Sequence, residues 1–270
     1  MIMKHKFIQL TSAQNEQFKK WKKLKTRKGR EKNRSLLVEG EHLVLEAIRS
    51  QVPIRALIID QKQREKVKAW NIFSPTYELS TDLFNQLVDT ESPQGMIAEI
   101  GIKFWQVEEL LPIKAEQWTF LLLDGIQDPG NLGTILRTAE SAGVNGIFLG
   151  KGTVDPYNSK VVRAAMGSVF RLPLISLPIP SVIPLLQKWD VQLIGTSPHA
   201  GKMPFELHFP SRVAFVLGNE GRGIAPEHLA MLDTQVMIPM PGKTESLNVA
   251  VTGAMLLYER IRQQVIGCNV

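Results

Sequence analysis

Residues 238–259 read IPMPGKTESLNVAVTGAMLLYE. Ile238, Pro239 and Met240 read as the end of an apolar strand that runs into a Pro/Gly turn. The turn leads into a helix whose first residues are polar: Glu245, Ser246 and Asn248. The rest of the helix is apolar on nearly every side, through Leu247, Val249, Ala250, Val251, Ala254, Met255, Leu256 and Leu257. Such a helix is buried, in a core or against a partner. Its start, with unpaired N–H groups, therefore lies at the edge of something buried and is a natural ligand site. Taken alone, the segment reads equally as a capped core helix with Ser246 as N-cap.

Two further segments change that balance. Residues 215–223 (FVLGNEGRG) put a cluster of turn residues directly after an apolar strand, and residues 121–143 (LLLDGIQDPGNLGTILRTAESAG) read as strand, polar loop and helix. In all three, Asn, Glu, Ser or Arg stands at the end of an apolar element. Ligand crevices of open α/β sheets lie at such ends.

With these residues the chain resembles the SPOUT superfamily, in particular the TrmH-type (SpoU) RNA ribose 2′-O-methyltransferases. The first motif is Asn131-Leu132-Gly133 with Arg137 four positions on. The second is Gly218-Asn219-Glu220-Gly221. The third is Ile238-Pro239-Met240, followed by Ser246-Leu247-Asn248-Val249-Ala250. They occur in family order with family-like spacing, and the likeness runs from Trp118 to the C-terminus. The part before Trp118 is similar to the substrate-binding domain often fused ahead of this catalytic domain.

The resemblance implies a two-domain α/β protein. A C-terminal SPOUT-type α/β knot (trefoil) domain, residues 118–270, would follow a small α/β/α sandwich RNA-binding domain, residues 1–103, and a linker, 104–117. It implies S-adenosyl-L-methionine as cofactor, held by backbone groups of Gly218, Ile238 and Leu247 in a pocket lined by Thr196, Asn219, Gly221 and Met240. Arg137 would be catalytic, with Asn131, Glu220, Ser246 and Asn248 holding it and the ribose by hydrogen bonds. Arg163, in residues 157–168 (YNSKVVRAAMGS), would touch RNA backbone, although Ala165 stands where family members often carry Ser. The implied reaction methylates a ribose 2′-hydroxyl of rRNA or tRNA. The alternatives are an RNA base methyltransferase and an inactive RNA-binding or ribosome-assembly factor on the same fold, the latter opposed by the intact Arg137, Glu220, Ser246 and Asn248. The proton acceptor stays open between Arg137, an RNA phosphate and water.

The residues support a α/β reading independently. Strands are expected at 35–38, 54–60, 76–79 and 95–100, with helices at 41–50, 63–70 and 82–88, the last capped by Ser80 or Thr81. The second segment carries strands at 119–124, 146–150, 172–176, 191–196, 212–217 and 235–240, mostly with helices between them. Strands alternating with helices indicate βαβ construction. Rival nucleotide motifs fail. Gly242-Lys243-Thr244 imitates a P-loop end, but Met237 stands where the required glycine belongs. No G-x-G-x-x-G follows the first strand of either segment, which argues against a Rossmann dinucleotide site.

Charge is concentrated. Residues 19–34 hold ten Lys/Arg against Glu31, a local +9 in a chain of net +6, so the remainder stands near −3. A basic patch attracts phosphates without regard to sequence, and a solvated helix face is the plainer reading. Beside an RNA-modifying site the expectation is RNA contact through Lys25, Lys28, Arg30 and Arg34. Residues 1–10 are basic but lack the apolar core of a secretory signal. The single cysteine, Cys268, has no internal disulfide partner, and no Cys/His cluster marks a metal. A cytoplasmic protein without metal is expected. The apolar helix near the C-terminus leaves no polar face for solvent, so a homodimer through it is expected too.

Overall fold

The computed structural model describes residues 7–70, 74–110 and 117–267. Most of the basic N-terminal stretch, the middle of the 104–117 linker and Cys268 lie outside them. The chain divides into two compact units, one of residues 1–103 with 157–170 and one of residues 104–156 with 171–270.

The first unit runs β1 (Phe7–Leu10), α1 (Glu16–Leu24), α2 (Arg27–Asn33), β2 (Ser35–Glu39), α3 (Glu41–Arg49), β3 (Ile54–Asp60), α4 (Arg64–Lys68), β4 (Thr76–Leu79), α5 (Thr81–Asn85) and β5 (Met96–Gly101). Its five-stranded sheet has the order β1-β4-β3-β5-β2, with β5 antiparallel to both neighbours. Ser80 caps α5 by accepting the Leu83 N–H at 3.4 Å.

The basic run folds as helices α1 and α2. Phe18, Trp21 and Leu24 lie three residues apart on α1, and all three are buried. That spacing sets one apolar stripe against the sheet. Under the stripe sits Glu99 of β5, fully buried. It accepts hydrogen bonds from Lys20 Nζ (2.6 Å), Trp21 Nε1 (2.9 Å), Ser35 Oγ (3.0 Å) and Gln17 Nε2 (3.2 Å). A buried carboxylate is tolerable only when so surrounded, and here it ties the basic helix to the sheet.

The second unit begins with β6 (Trp118–Asp124), α6 (Pro129–Ser141) and β7 (Gly146–Leu149). The chain then forms α7 (Ser159–Ala164), which belongs to the first unit, although its sequence position lies within the expected catalytic domain. It continues with β8 (Leu174–Ser176), α8 (Ile179–Gln187), β9 (Gln192–Thr196), β10 (Arg212–Gly218), α9 (Pro226–Leu229), β11 (Thr234–Val236) and α10 (Val249–Gly267). The six strands pair in parallel in the order β11-β9-β10-β6-β7-β8. The apolar runs of β6 and β10, buried along nearly their whole length, are what a parallel sheet covered on both faces requires. Among the described residues, no helix is long and apolar enough to cross a membrane.

Two details near the C-terminus differ from the sequence expectation. The strand expected at 235–240 ends at Val236, so Ile238 and Met240 lie in irregular backbone. Pro239 and Pro241 lack the N–H groups a ladder needs, which accounts for the early stop. The helix starts at Val249, and its cap is Asn248, not Ser246: Asn248 Oδ1 accepts the Ala250 N–H at 2.8 Å and the Val251 N–H at 3.4 Å. Within the chain α10 is buried on one face only. Ala250, Leu256 and Leu257 face inward, and Gly253 lies so close to β10 that a Cβ there would stand 2.8 Å from Leu217 Cδ1. Val251, Met255 and Tyr258 form an opposite stripe that is 48%, 44% and 70% exposed.

Candidate active site

The carboxyl ends of β9, β10 and β11 lie side by side, because Thr196 pairs with Val236 in one ladder and β10 joins β9 to β6 in the others. A cavity of about 310 Å³ opens there. It is lined by all seven residues expected around the cofactor: Thr196, Gly218, Asn219, Gly221, Ile238, Met240 and Leu247. Glu220 and Ser246 line it too. Glu245, from the polar stretch ahead of the helix, lines it as well, and so do Ser197, Pro198 and Arg222, which the sequence did not single out. Their signal was position, since Ser197 and Pro198 directly follow an apolar strand.

The two motif glycines serve different ends. Neither Gly218 nor Gly221 has positive φ; in this loop that conformation belongs to Gly223, at +70°. Gly218 is required for space, because a Cβ there would stand 2.1 Å from backbone atoms of Gly223 and Ile224. The loop folds back onto its own strand, and only glycine lets it. A Cβ on Gly221 would meet ordinary contact distances.

A hydrogen-bonded relay joins the three motifs. Glu220 accepts the backbone N–H groups of Gln127 (3.1 Å) and Asp128 (3.0 Å) and the Asn131 side-chain amide at 3.1 Å. Asn131 Oδ1 in turn accepts Asn248 Nδ2 at 2.8 Å. The chemistry dictates both amide orientations. Glu220 can only accept, so Asn131 turns its NH₂ toward it; Asn248 spends its oxygen on the helix N–H groups and has only NH₂ left to give. Asp128 starts the helix that carries Asn131, its Oδ1 accepting the Asn131 N–H at 2.8 Å. On the other side, Asn219 Nδ2 donates to Gly125 O at 2.8 Å, while its Oδ1 accepts the Gly221 N–H at 3.0 Å.

Partial burial would raise the Glu220 carboxyl, but the Asp128 and Gln127 amides, its own N–H and Asn131 outweigh it and hold the group below the ordinary value of 4.5. A carboxylate with a lowered folded-state pKa stabilises the fold above its unfolded value, and that contribution disappears as pH falls through the folded one. Glu220→Gln should therefore flatten the acid limb of the thermal midpoint against pH below about 4.5. A parallel shift of the whole curve would assign the effect elsewhere.

The Arg137 and Ser246 side chains are exposed and have no hydrogen-bond or ion-pair partner among the described residues, so the hydrogen bonds expected to hold Arg137 are not formed: Asn131, Glu220 and Asn248 bond to one another instead. Arg137 does not line the cavity. In the first unit, Lys25 pairs with Asp89 at 2.8 Å. Burial would raise the Asp89 carboxyl, but hydrogen bonds from Lys25 and Ser159 and the charges of Lys25 and Arg163 bring it below its ordinary range. Arg163 lines a small polar cavity of this unit, and its Nη1 is buried without a hydrogen-bond partner. Arg30, expected at the RNA surface, is instead 7% exposed and donates from Nη1 to Leu24 O at 2.9 Å and Lys25 O at 3.0 Å. It caps the end of α1 and is not available to phosphates. Lys28 and Arg34 are exposed.

Residues 119–258 match the family model of the SpoU rRNA methylase family. The chain belongs to the SpoU rRNA methylase family. As a member it is an S-adenosylmethionine-dependent RNA 2′-O-methyltransferase. Residues 15–98 of this SpoU methyltransferase match a second model, the MRM3-like substrate binding domain. The 23S rRNA (guanosine(2553)-2′-O)-methyltransferase RlmP of Bacillus subtilis (strain 168) is 38% identical over 93% of this chain and 98% of its own. Among solved structures, AviRb from Streptomyces viridochromogenes with the cofactor AdoMet has a TM-score of 0.84 at 27% identity, covering 93% of this chain and 99% of that one. The AdoMet-bound rRNA methyltransferase from Sinorhizobium meliloti has a TM-score of 0.82 at 30% identity, over 95% and 98%.

Proposed function

We propose that this SpoU methyltransferase methylates a ribose 2′-hydroxyl of large-subunit ribosomal RNA, working as a homodimer in the cytoplasm. The observation that carries the reading is the Glu220–Asn131–Asn248 relay beside the strand-end cavity. The substrate class rests on the near full-length likeness to a relative whose name states 23S rRNA. The trefoil knot of the SPOUT fold belongs to the same reading.

The cavity suits S-adenosylmethionine in its chemistry. Ile238, Met240 and Leu247 offer apolar surface for a purine, strand-end and loop backbone offers hydrogen bonds to its edge, and Gly218 keeps the loop folded tightly enough to form the wall. The cofactor, when bound, supplies an electrophilic methyl group on sulfonium, so the protein's task is alignment. Asn131, Glu220, Ser246 and Asn248 orient the ribose. Arg137 grips the neighbouring phosphate and stabilises the oxyanion that develops at the 2′-oxygen. A guanidinium only donates hydrogen bonds and is unsuitable as the base, so the proton passes to a phosphate oxygen or water.

The exposed stripe Val251, Met255 and Tyr258 lines an apolar groove of about 490 Å³ with Phe205, Ile238 and Pro239. A second copy covering it would complete the burial that an apolar helix needs. Thr134 lines the same groove, and Arg137 follows it by one turn of α6, so assembly would bring a second chain's surface up to Arg137.

RNA capture falls to the first unit. Lys23, Lys28 and Lys32 are exposed, without hydrogen-bond or ion-pair partners among the described residues. Changing all three to Gln should flatten the slope of log affinity against log salt by about 2, at ~0.7 per phosphate contact on single strands. Arg30→Gln should lower stability and leave that slope alone. Equal slopes in the triple variant and the unaltered protein would make the run only a solvated face.

The reading itself is tested with labelled S-adenosylmethionine and RNA from cells lacking the enzyme, mapped by mass spectrometry. One ribose-methylated nucleotide in large-subunit rRNA is expected. Methyl groups found only on a base, or only in tRNA, would overturn it.

A further inference from the structure

Asp124 and Gly218 are register partners at the carboxyl ends of β6 and β10. Beyond them the chain forms two loops, residues 125–128 and 219–225. The near ends of these loops are tied by Asn219 and Glu220, as described above. The far end of the second loop is tied differently. The Ala225 N–H donates to Asp124 Oδ2 at 3.0 Å, and His228 Nδ1 lies 2.7 Å from the same oxygen. The Asp124 and His228 side chains are 11% and 13% exposed. An ionised carboxylate can only accept, so Nδ1 of His228 carries the proton and donates.

We propose that Asp124 and His228 are positioning residues for methyl transfer, acting through the loop between Gly218 and Ala225. Neither residue lines the cofactor cavity, but six consecutive residues of that loop, 218–223, do. The loop is anchored at its start by β10 and is internally closed by the Asn219–Gly223 backbone pair, N–H to O at 2.9 Å in both directions. At the far end the buried Ile224 side chain and the Asp124 contacts at Ala225 and His228 act together, and Asp124 is the register partner of Gly218, where the loop begins. Held at two points, the loop keeps Glu220 on the Gln127 and Asp128 amides and keeps one wall of the cavity in place. Preorganisation of this kind appears as cofactor affinity, because a mobile wall must be ordered on binding.

This inference rests on the methyltransferase reading of the cavity. The test uses the full-length protein with His228→Leu and His228→Asn. Leucine keeps approximate bulk and removes the donor; the asparagine NH₂ stands near the place of Nδ1 and keeps it. S-adenosylmethionine affinity is measured by calorimetry, RNA affinity by a binding assay, and unfolding midpoints without ligand. His228→Leu should weaken cofactor binding about tenfold, a change of about 1.4 kcal/mol. His228→Asn should recover to within about threefold of the unaltered protein, with RNA affinity unchanged in both. Cofactor binding unaffected by His228→Leu would overturn the proposal. So would equal losses in both variants that follow their unfolding midpoints, since that is plain support of the fold. Absence of cofactor binding by the unaltered protein would overturn the functional reading and this proposal with it.

Discussion

Arg137→Ala is expected to lower the turnover of methyl transfer by about 10²–10³-fold, the loss typical of removing one donor to a developing oxyanion. S-adenosylmethionine affinity should change by less than about threefold, under ~0.7 kcal/mol. Both halves follow from where the residue stands. Arg137 is exposed on α6 and does not line the cavity that holds the seven expected cofactor residues. Its guanidinium has no hydrogen-bond or ion-pair partner among the described residues, so truncation leaves nothing unpaired inside the protein. Stability should therefore stay within about 0.5 kcal/mol, as for most surface substitutions. Arg137→Lys should not restore turnover, since an ammonium cannot reproduce the planar two-pronged grip on a phosphate. Calorimetry of the cofactor and single-turnover kinetics with RNA check the two halves separately. Loss of cofactor binding in the alanine variant would move Arg137 to the cofactor side of the site and sink the assignment.

The residues of the relay, though not the relay itself, were legible in the sequence through the motifs that resemble the SpoU family. Asn131, Glu220 and Asn248 each stood at the end of an apolar run, and the ends of parallel strands are where side chains converge. Their mutual bonding was not legible, because it depends on which loops face each other. The cap of α10 shows the limit well. Ser246 and Asn248 are both good caps by type; what decides for Asn248 is that the chain stays irregular until Val249. The truncated last strand could have been read from Pro239 and Pro241, whose missing N–H groups the apolar pattern concealed.

The basic run was the harder stretch. Its cations masked the Phe18, Trp21 and Leu24 stripe, and nothing local indicated that Lys20 serves a buried Glu99 nearly eighty residues away. Arg30 is the clearest case. By composition it was one more cation; by position it closes the carbonyl end of α1. Strand β1 was hidden for a related reason, since an edge strand of four residues beside a basic stretch has too few apolar positions to show a period. The placement of α7 with the first unit depends on tertiary packing that no periodicity reports.

Met255→Glu combined with Tyr258→Glu is expected to convert the proposed dimer into a monomer, with the dissociation constant raised at least about 10³-fold, or ~4 kcal/mol. Val251, Met255 and Tyr258 are spaced four and three residues apart, so they fall on one face of α10. That face is the one the fold leaves open, while Leu256 and Leu257 on the other side are almost wholly buried. In a two-fold interface each substitution occurs twice in mirrored positions. The double variant thus places four carboxylates in an apolar contact with no cation supplied to meet them, and burying an unpaired charge costs several kcal/mol each. The same change should leave the folded monomer almost untouched, because both side chains already face solvent. Light scattering at micromolar concentration reads the assembly state directly, and the unfolding midpoint of the monomer serves as control. Methyl transfer should fall with dimer content, since Arg137 follows groove-lining Thr134 by one helical turn. A variant that remained dimeric would place the interface elsewhere, and a fully active monomer would detach assembly from the chemistry.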